Sequence, residues 1–339
     1  MRVTFLAPSS NTPGGFYEVF ADFLRVAAEQ LDIDLQVVFG SKLREGMLER
    51  GREIAASSRR PDYVLLANYL DVAGELLPEF AAAGVRVLFV VEGMAAADRL
   101  AMERGEYSAC LGEIIPDDAE AGRMLAEALV SEACRRGLAG LDGKVHVGAL
   151  TGGQTQIGQS RFRGWQTFRQ ERPDVTQAGL QYGSWEEKEG RHAAAMLLRT
   201  APVLNAFWCA NDLMALGAAS AATAAGRRPG EDVVIGGIDL LDRALAAIVA
   251  GTLHVSIGGH VVDGVRALLM LYDHQQRPGM KAAIHRTHLV AVKANEAGRY
   301  LSFMKDHGWR SVDFSRFSAR RNPRGTPALS LQALLAGVA

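Results

Sequence analysis

Several polar side chains stand where a sheet of parallel strands would present them to a ligand. Ser9, Ser10 and Asn11 follow the apolar run VTFLAP, Asn68 follows YVLLA, and Glu92 follows VRVLFVV. Asn211 and Asp212 follow LNAFWCA, and Asp239 follows VVIGGI. Singly, each reads as a turn or cap residue. Together they place amides and carboxylates at the carboxyl ends of strands in both halves of the chain, the station at which open α/β sheets bind ligands. Within the Asn211-Asp212 pair, one residue is expected to cap the following helix, leaving the other at the strand end.

The signs of covalent chemistry are missing. GGQTQIGQSRFRG (152–164) is rich in glycine but lacks the Gly-Lys-Ser/Thr ending of a phosphate-binding loop, and the chain has no GxGxxG. It reads as a tight turn before a helix. Inside it, Arg161 and Arg163 are two apart and so point in different directions, one inward and one into solvent. His260 follows Gly-Gly and reads as a packing or capping residue, since no His, Cys or carboxylate at i+4 makes it half of a metal pair. His285 and His288 fall in a short strand-like segment and are not read as a metal set. GxSxG and HExxH are absent. Cys110, Cys134 and Cys209 show no CxxC spacing, and each reads as a small buried hydrophobe. No metal and no cofactor are expected.

The elements that must hold these residues follow from length and pattern. The 339 residues make roughly two domains at about 150 residues each. Hydrophobic residues are 48% and charged residues 22%, which fits a folded globular chain. The formal net charge of −1 lacks the basic excess of a nucleic-acid binder, and no apolar run is long enough to span a membrane. Apolar runs at 2–7, 35–39, 63–67, 85–91, 145–150, 204–210 and 233–238 alternate with amphipathic stretches such as 16–31 and 119–137. Continuous apolar runs suit strands buried on both faces, and the alternation predicts doubly wound parallel sheets. The rhythm breaks at GEYSACLGEIIPDD (105–118) and restarts at Val145, which predicts two α/β lobes in tandem. The end of the chain, including RFSARRNPRGTP (316–327), reads as an irregular surface wrap. MRVTFLAPSS enters a strand at once without an export signal, so the native protein is either cytoplasmic or a mature domain without its leader.

Eight segments in order resemble the type I periplasmic binding protein superfamily over about 1–293: FLAPSSNTPGGFYEVF, YVLLAN, VRVLFVVEG, LGEIIPDDAEAG, QSRFRGWQTF, WCANDLMALGA, VVIGGID and SIGGHVVDGVRAL. The last, with LMLYDHQQ, is nearer the branch of autoinducer-2 receptors and sensor-linked solute binders. The resemblance implies two Rossmann-like lobes with parallel sheets joined by three crossovers, and a ligand cleft between them that closes on the solute. The first lobe would comprise 1–113 and 258–289, and the second 114–257 and 290–339 with a wrapping tail. It implies that Asn11, Phe16 and Tyr17 supply a polar contact and an aromatic face from the first loop, where Gly14-Gly15 departs from the family pattern. Asn68 and Glu92 would meet ligand from the first lobe, Glu92 replacing the Asp or Asn common in sugar binders. Arg161 matches the ligand arginine of the family's Arg-x-x-Gly helix start. Trp185 or Tyr182 would be the second aromatic wall, Asn211 and Asp239 the ligand amide and carboxylate, and Ser256 a completing hydroxyl.

The implied function is an extracytoplasmic solute-binding protein, periplasmic and monomeric, that delivers a neutral polyol, sugar or sugar-like signal to an ABC transporter permease or reports it to a membrane sensor. Arg, Asn and carboxylate groups bind paired hydroxyls, and aromatic rings cover the C–H face of a sugar. Arg161 set against Glu92 and Asp239 leaves one excess negative charge, which disfavours an anionic ligand. On this reading Arg161→Ala or Asp239→Ala abolishes binding and leaves folding intact. Two competing readings are the effector domain of a LacI-type regulator without its DNA-binding head, and a Rossmann-like enzyme.

Overall fold

Runs such as Tyr63–Leu66 and Val234–Ile238 are buried at every position, which commits them to strands covered on both faces. A computed structural model describes residues 1–9, 13–275, 283–322 and 328–337. The chain divides into two units.

The first unit, residues 1–116, 260–288 and 309 onward, opens with β1 (Arg2–Pro8), α1 (Phe16–Gln30), β2 (Asp34–Gly40), α2 (Arg44–Ala56), β3 (Tyr63–Leu66), α3 (Ala73–Ala82), β4 (Arg86–Val90), α4 (Ala96–Glu103) and β5 (Cys110–Pro116). The second, residues 117–259 and 289–308, continues with α5 (Asp118–Arg135), β6 (Val145–Thr151), α6 (Gln156–Gln170), β7 (Val175–Tyr182), α7 (Glu187–Thr200), β8 (Ala206–Cys209), α8 (Asp212–Ala224), β9 (Val234–Ile238), α9 (Asp242–Val249) and β10 (Val255–Gly258). The chain returns to the first unit for α10 (Asp263–His274) and β11 (Ala283–Thr287), then to the second for β12 (Val290–Lys293) and α11 (Ala294–Lys305). The sheets run β11-β5-β4-β3-β1-β2 and β12-β10-β9-β8-β6-β7. Their pairs are parallel except β10–β12, so the second sheet is mixed rather than purely parallel.

All seven apolar runs fold as strands. β7 carried no continuous apolar run, because it is an edge strand whose residues are half-buried along most of its length. The tail corrects the expected boundary. After residue 308 the chain crosses a fourth time and packs on the first unit, ending in α12 (Leu331–Leu335). Trp309 stacks on Phe23 at 4.1 Å, and the Gln30 side chain donates to the Val312 carbonyl and accepts from the Phe314 amide. Asp273 caps the backbone at Ala319 and Arg320. Apolar Phe and Trp residues, spaced irregularly, carry this docking, so periodicity did not announce it. Residues 323–327 of the expected wrap lie outside the described residues. Cys110 and Cys209 are buried as expected, whereas Cys134 is exposed on α5.

Helices α5 and α6 meet where both carry glycine. A Cβ on Gly122 would fall 1.9 Å from the Arg161 carbonyl oxygen, and one on Gly164 1.9 Å from the Ala119 oxygen. The Gly122 carbonyl also accepts the indole N–H of Trp208, which is fully buried on β8. Gly122→Ala must therefore push the helices apart. The expected cost is about 1–3 kcal/mol, read as a lower denaturant midpoint for the full chain.

Candidate functional site

In the second unit the polar residues converge on Arg161. Thr155 caps α6 by accepting the Gly158 amide, which makes the Gly-rich loop a helix entry, as the sequence indicated. One and a half turns on, Arg161 is 3% exposed while Arg163 faces solvent. Arg161 Nε donates to Asp118 Oδ1 at 2.8 Å, and Nη1 donates to the Ala210 carbonyl at 2.7 Å and to Asp239 Oδ1 at 3.3 Å. Nη2 takes no partner among the described residues. Burial opposes the guanidinium charge, but Asp118 and Asp239 outweigh it, and the Arg161 pKa lies above its ordinary value.

Asp118 is a site residue that sequence reasoning missed, and Asp212 is the member of the Asn211-Asp212 pair left at the strand end. Asp118 was not singled out from the sequence. Its neighbour Asp117 takes the cap position, accepting the Glu120 amide, and Asp118 turns inward to Arg161. The same division of labour holds at α8. Asn211 caps it by accepting the Met214 amide and donates to the Trp185 carbonyl, while Asp212 is fully buried. Asp212 accepts the Ser256 hydroxyl at 2.7 Å and the Leu241 amide at 2.9 Å. Ser256 in turn accepts the Leu240 amide. Buried with both sides of its hydroxyl engaged, Ser256 shapes the turn after β9 rather than offering a hydroxyl outward. That turn needs holding, because Asp239 and Leu240 have φ of +133° and +58°, strained values for residues with a Cβ.

Burial raises the pKa of Asp212 and of Asp239, in each case against the pull of Arg161. The charge count expected from sequence omitted both Asp118 and Asp212, so the single excess negative charge does not describe this unit. Trp185 completes the group. It has φ of +66°, lies against Gly152, where a Cβ would fall 1.9 Å from the indole, and holds its ring 5.8 Å from the Arg161 guanidinium. Tyr182, the alternative aromatic, is exposed at the end of edge strand β7.

In the first unit, Phe16 and Tyr17 open α1 as a half-buried, edge-to-face pair. Phe16 stacks on buried His260 at 4.4 Å, so His260 is a packing residue as read from sequence. Asn68 is fully buried and spends both amide hydrogens on Asp71 and the Gly93 carbonyl while accepting the Ala73 amide. It organises the loops after β3 and β4. Glu92 is buried at the end of β4, after Val91 at φ +67°. Glu113 on β5, another residue not singled out from sequence, accepts the Met94 amide and pairs with Arg99 at 2.9 Å, fixing the chain that follows Glu92. Asn11 lies outside the described residues. Among the described residues, no group of His, Cys, Asp and Glu is arranged to hold a metal ion.

With these two residue sets in place, the comparisons agree. A "Periplasmic Sugar-binding protein" from Pseudomonas fluorescens superposes with a TM-score of 0.86 at 28% identity, covering 99% of each chain. The "D-apiose import binding protein" of Actinobacillus succinogenes is 26% identical over 74% of this chain and 73% of its own length. The arabinose ABC transporter binding protein of Shewanella sp. ANA-3 shares the fold, with a TM-score of 0.79 at 20% identity over 91% of this chain and 97% of that one. Residues 6–277 match the periplasmic binding protein domain, and the chain belongs to that family, whose members bind solutes rather than transform them.

Proposed function

We propose that the chain is a periplasmic receptor for a neutral sugar or cyclic polyol, which it delivers to the permease of an ABC importer. The observation that carries this reading is the half-committed guanidinium of Arg161. Asp118 and the Ala210 carbonyl fix its plane, and the Nη2 edge keeps its two splayed, in-plane hydrogens for a ligand. Such an edge fits a pair of vicinal hydroxyls, which accept through oxygen and donate onward to a carboxylate such as Asp239. Trp185 beside it offers an apolar face to sugar C–H groups. Asp118, at 2.8 Å, already offsets the Arg161 charge, so an anionic ligand gains little from it. We assign Asn211 to the same contact set and, in the first unit, Phe16, Tyr17 and Glu92. Asn68 and Ser256 are positioning residues. The sugar and apiose binders named above support the same ligand class, and their family supports the importer.

The test is thermal-shift screening of the full chain against pentoses, including apiose and arabinose, hexoses, inositols, amino acids and nucleotides. A ligand that binds only the folded state at about a hundredfold over its Kd adds about 2.7 kcal/mol of stability. A shift with a neutral sugar or polyol is expected, and shifts only with amino acids or nucleotides would overturn the reading. Trp185→Ala should then weaken the identified ligand by about tenfold or more in calorimetry, the equivalent of about 1.4 kcal/mol.

A further inference from the structure

A pocket of about 230 Å³ opens in the second unit at the amino-terminal end of β10, lined in part by Arg135, Arg136, His254, Lys293 and Asn295. Ile235 on β9 borders His254, and Asp239 lies four residues further on, roughly 13 Å along the strand, so the pocket is distinct from the Arg161 group. Its charge is one-sided. Glu132 is the carboxylate in the lining, and both its oxygens are taken by Arg135 and Arg136 at 2.6–2.8 Å. With Lys293, which has no carboxylate partner among the described residues, the lining keeps an excess of two positive charges. The pairing with Glu132 also aims the guanidiniums, leaving Arg135 Nη1 and Arg136 Nη2 without a partner among the described residues.

His254 forms one wall of the pocket. Its Nδ1 accepts the Ile235 amide at 3.2 Å, so the neutral ring carries its proton on Nε2. That N–H is buried behind the cavity surface, and the ring remains close enough to the lining cations to sense a bound anion. Burial and Arg136 lower the His254 pKa to about 4, so the ring is neutral at pH 7 and the tautomer holds. Ala294 and Asn295, in the first turn of α11 behind its cap residue Lys293, complete the same lining.

We propose that this pocket is a second ligand site, specific for a small oxyanion of the phosphate or carboxylate type, held by Lys293, Arg135 and Arg136 with the His254 ring as one wall. Donors without acceptors and cations without counter-charges, gathered around one cavity, call for a ligand that brings acceptor oxygens and negative charge.

The full chain, labelled with ¹⁵N, is titrated with inorganic phosphate and, separately, with citrate at constant ionic strength. The expected result is a saturable shift of the His254 Nε2–H signal with one or both, phosphate alone marking a phosphate site and citrate alone a carboxylate site. Arg135→Ala and Lys293→Ala replace exposed side chains and should leave the melting temperature unchanged, while each weakens the anion by about tenfold. A His254 signal unmoved by both anions overturns the proposal. So does a shift of equal midpoint in the double variant, which would be general surface screening.

Discussion

Arg161→Ala loses sugar binding and also destabilises the chain by about 3–5 kcal/mol, the range found when one partner of a buried ion pair is removed. The sequence suggested a clean binding variant, because Arg161 read as a ligand contact alone. The structure makes it the buried counter-ion of Asp118 and Asp239 and the donor to the Ala210 carbonyl. Truncation takes a donor from two buried carboxylates and from a buried carbonyl. Arg161→Lys separates the two functions. A single ammonium restores charge to Asp118, so much of the stability returns, but it has no planar edge to offer paired hydroxyls, and binding stays lost. Replacing Arg161 together with its nearer partner, as in Arg161→Met with Asp118→Leu, removes one of the two carboxylates that lost Arg161 and should recover part of the stability over Arg161→Ala without recovering binding. Chemical denaturation and calorimetry on the same preparations check all three. If Arg161→Ala unfolds at the wild-type midpoint, the ion pairs are not holding this unit.

The contrast at Arg161 shows what the sequence could carry. Strand positions were legible because burial on both faces writes a continuous apolar run, and strand ends located Asn211, Asp239 and Glu92 without any structure. The Asn-Asp and Gly-Gly-Ile-Asp segments also proved to be physically linked. A Cβ on Gly237 would fall 2.8 Å from Asp212 Cα, so the glycine lets β9 pass against the start of α8. What stayed hidden was the sorting of adjacent polar residues into outward and inward roles. Asp117 and Asp118 look alike in sequence, as do Asn211 and Asp212. In each pair the first residue caps a helix, and the second, one step around it, faces the interior. That sorting depends on helix phase and on partners more than forty residues away, such as Ser256 for Asp212. Ser256 and Asn68 were read as ligand contacts for the same reason, since a strand-end hydroxyl or amide serves a turn and a ligand with the same atoms.

Asp212→Ala should cost about 2–4 kcal/mol, because the Leu241 amide and the Ser256 hydroxyl then lose their acceptor in the interior, at about 1–3 kcal/mol for each buried group left unmade. Asp212→Asn keeps an acceptor oxygen at nearly the same place and should stay within about 1 kcal/mol of wild type, with the turn at Asp239 and Leu240 intact. The two substitutions also differ from wild type in their pH dependence. The folded pKa of Asp212 is raised, first by burial, above the unfolded aspartate value of about 3.9. Between these values the folded state holds a proton that the unfolded state has released. Stability is therefore greatest below the unfolded pKa and falls as pH rises through the folded one. Asp239 is raised likewise, in part by Asp212 itself, and extends the decline toward neutral pH. Asp212→Asn removes one of these protons and lowers the Asp239 pKa by removing its negative neighbour. The plot of unfolding free energy against pH should then be flatter between about pH 4 and 7 than in wild type, at most about 1.4 kcal/mol per pH unit being lost from the slope for each proton. A wild-type curve that rises across this interval, or an Asn variant as unstable as the Ala variant, would show that Asp212 is held as an ionised partner of Arg161 rather than as the protonatable hub of the turn.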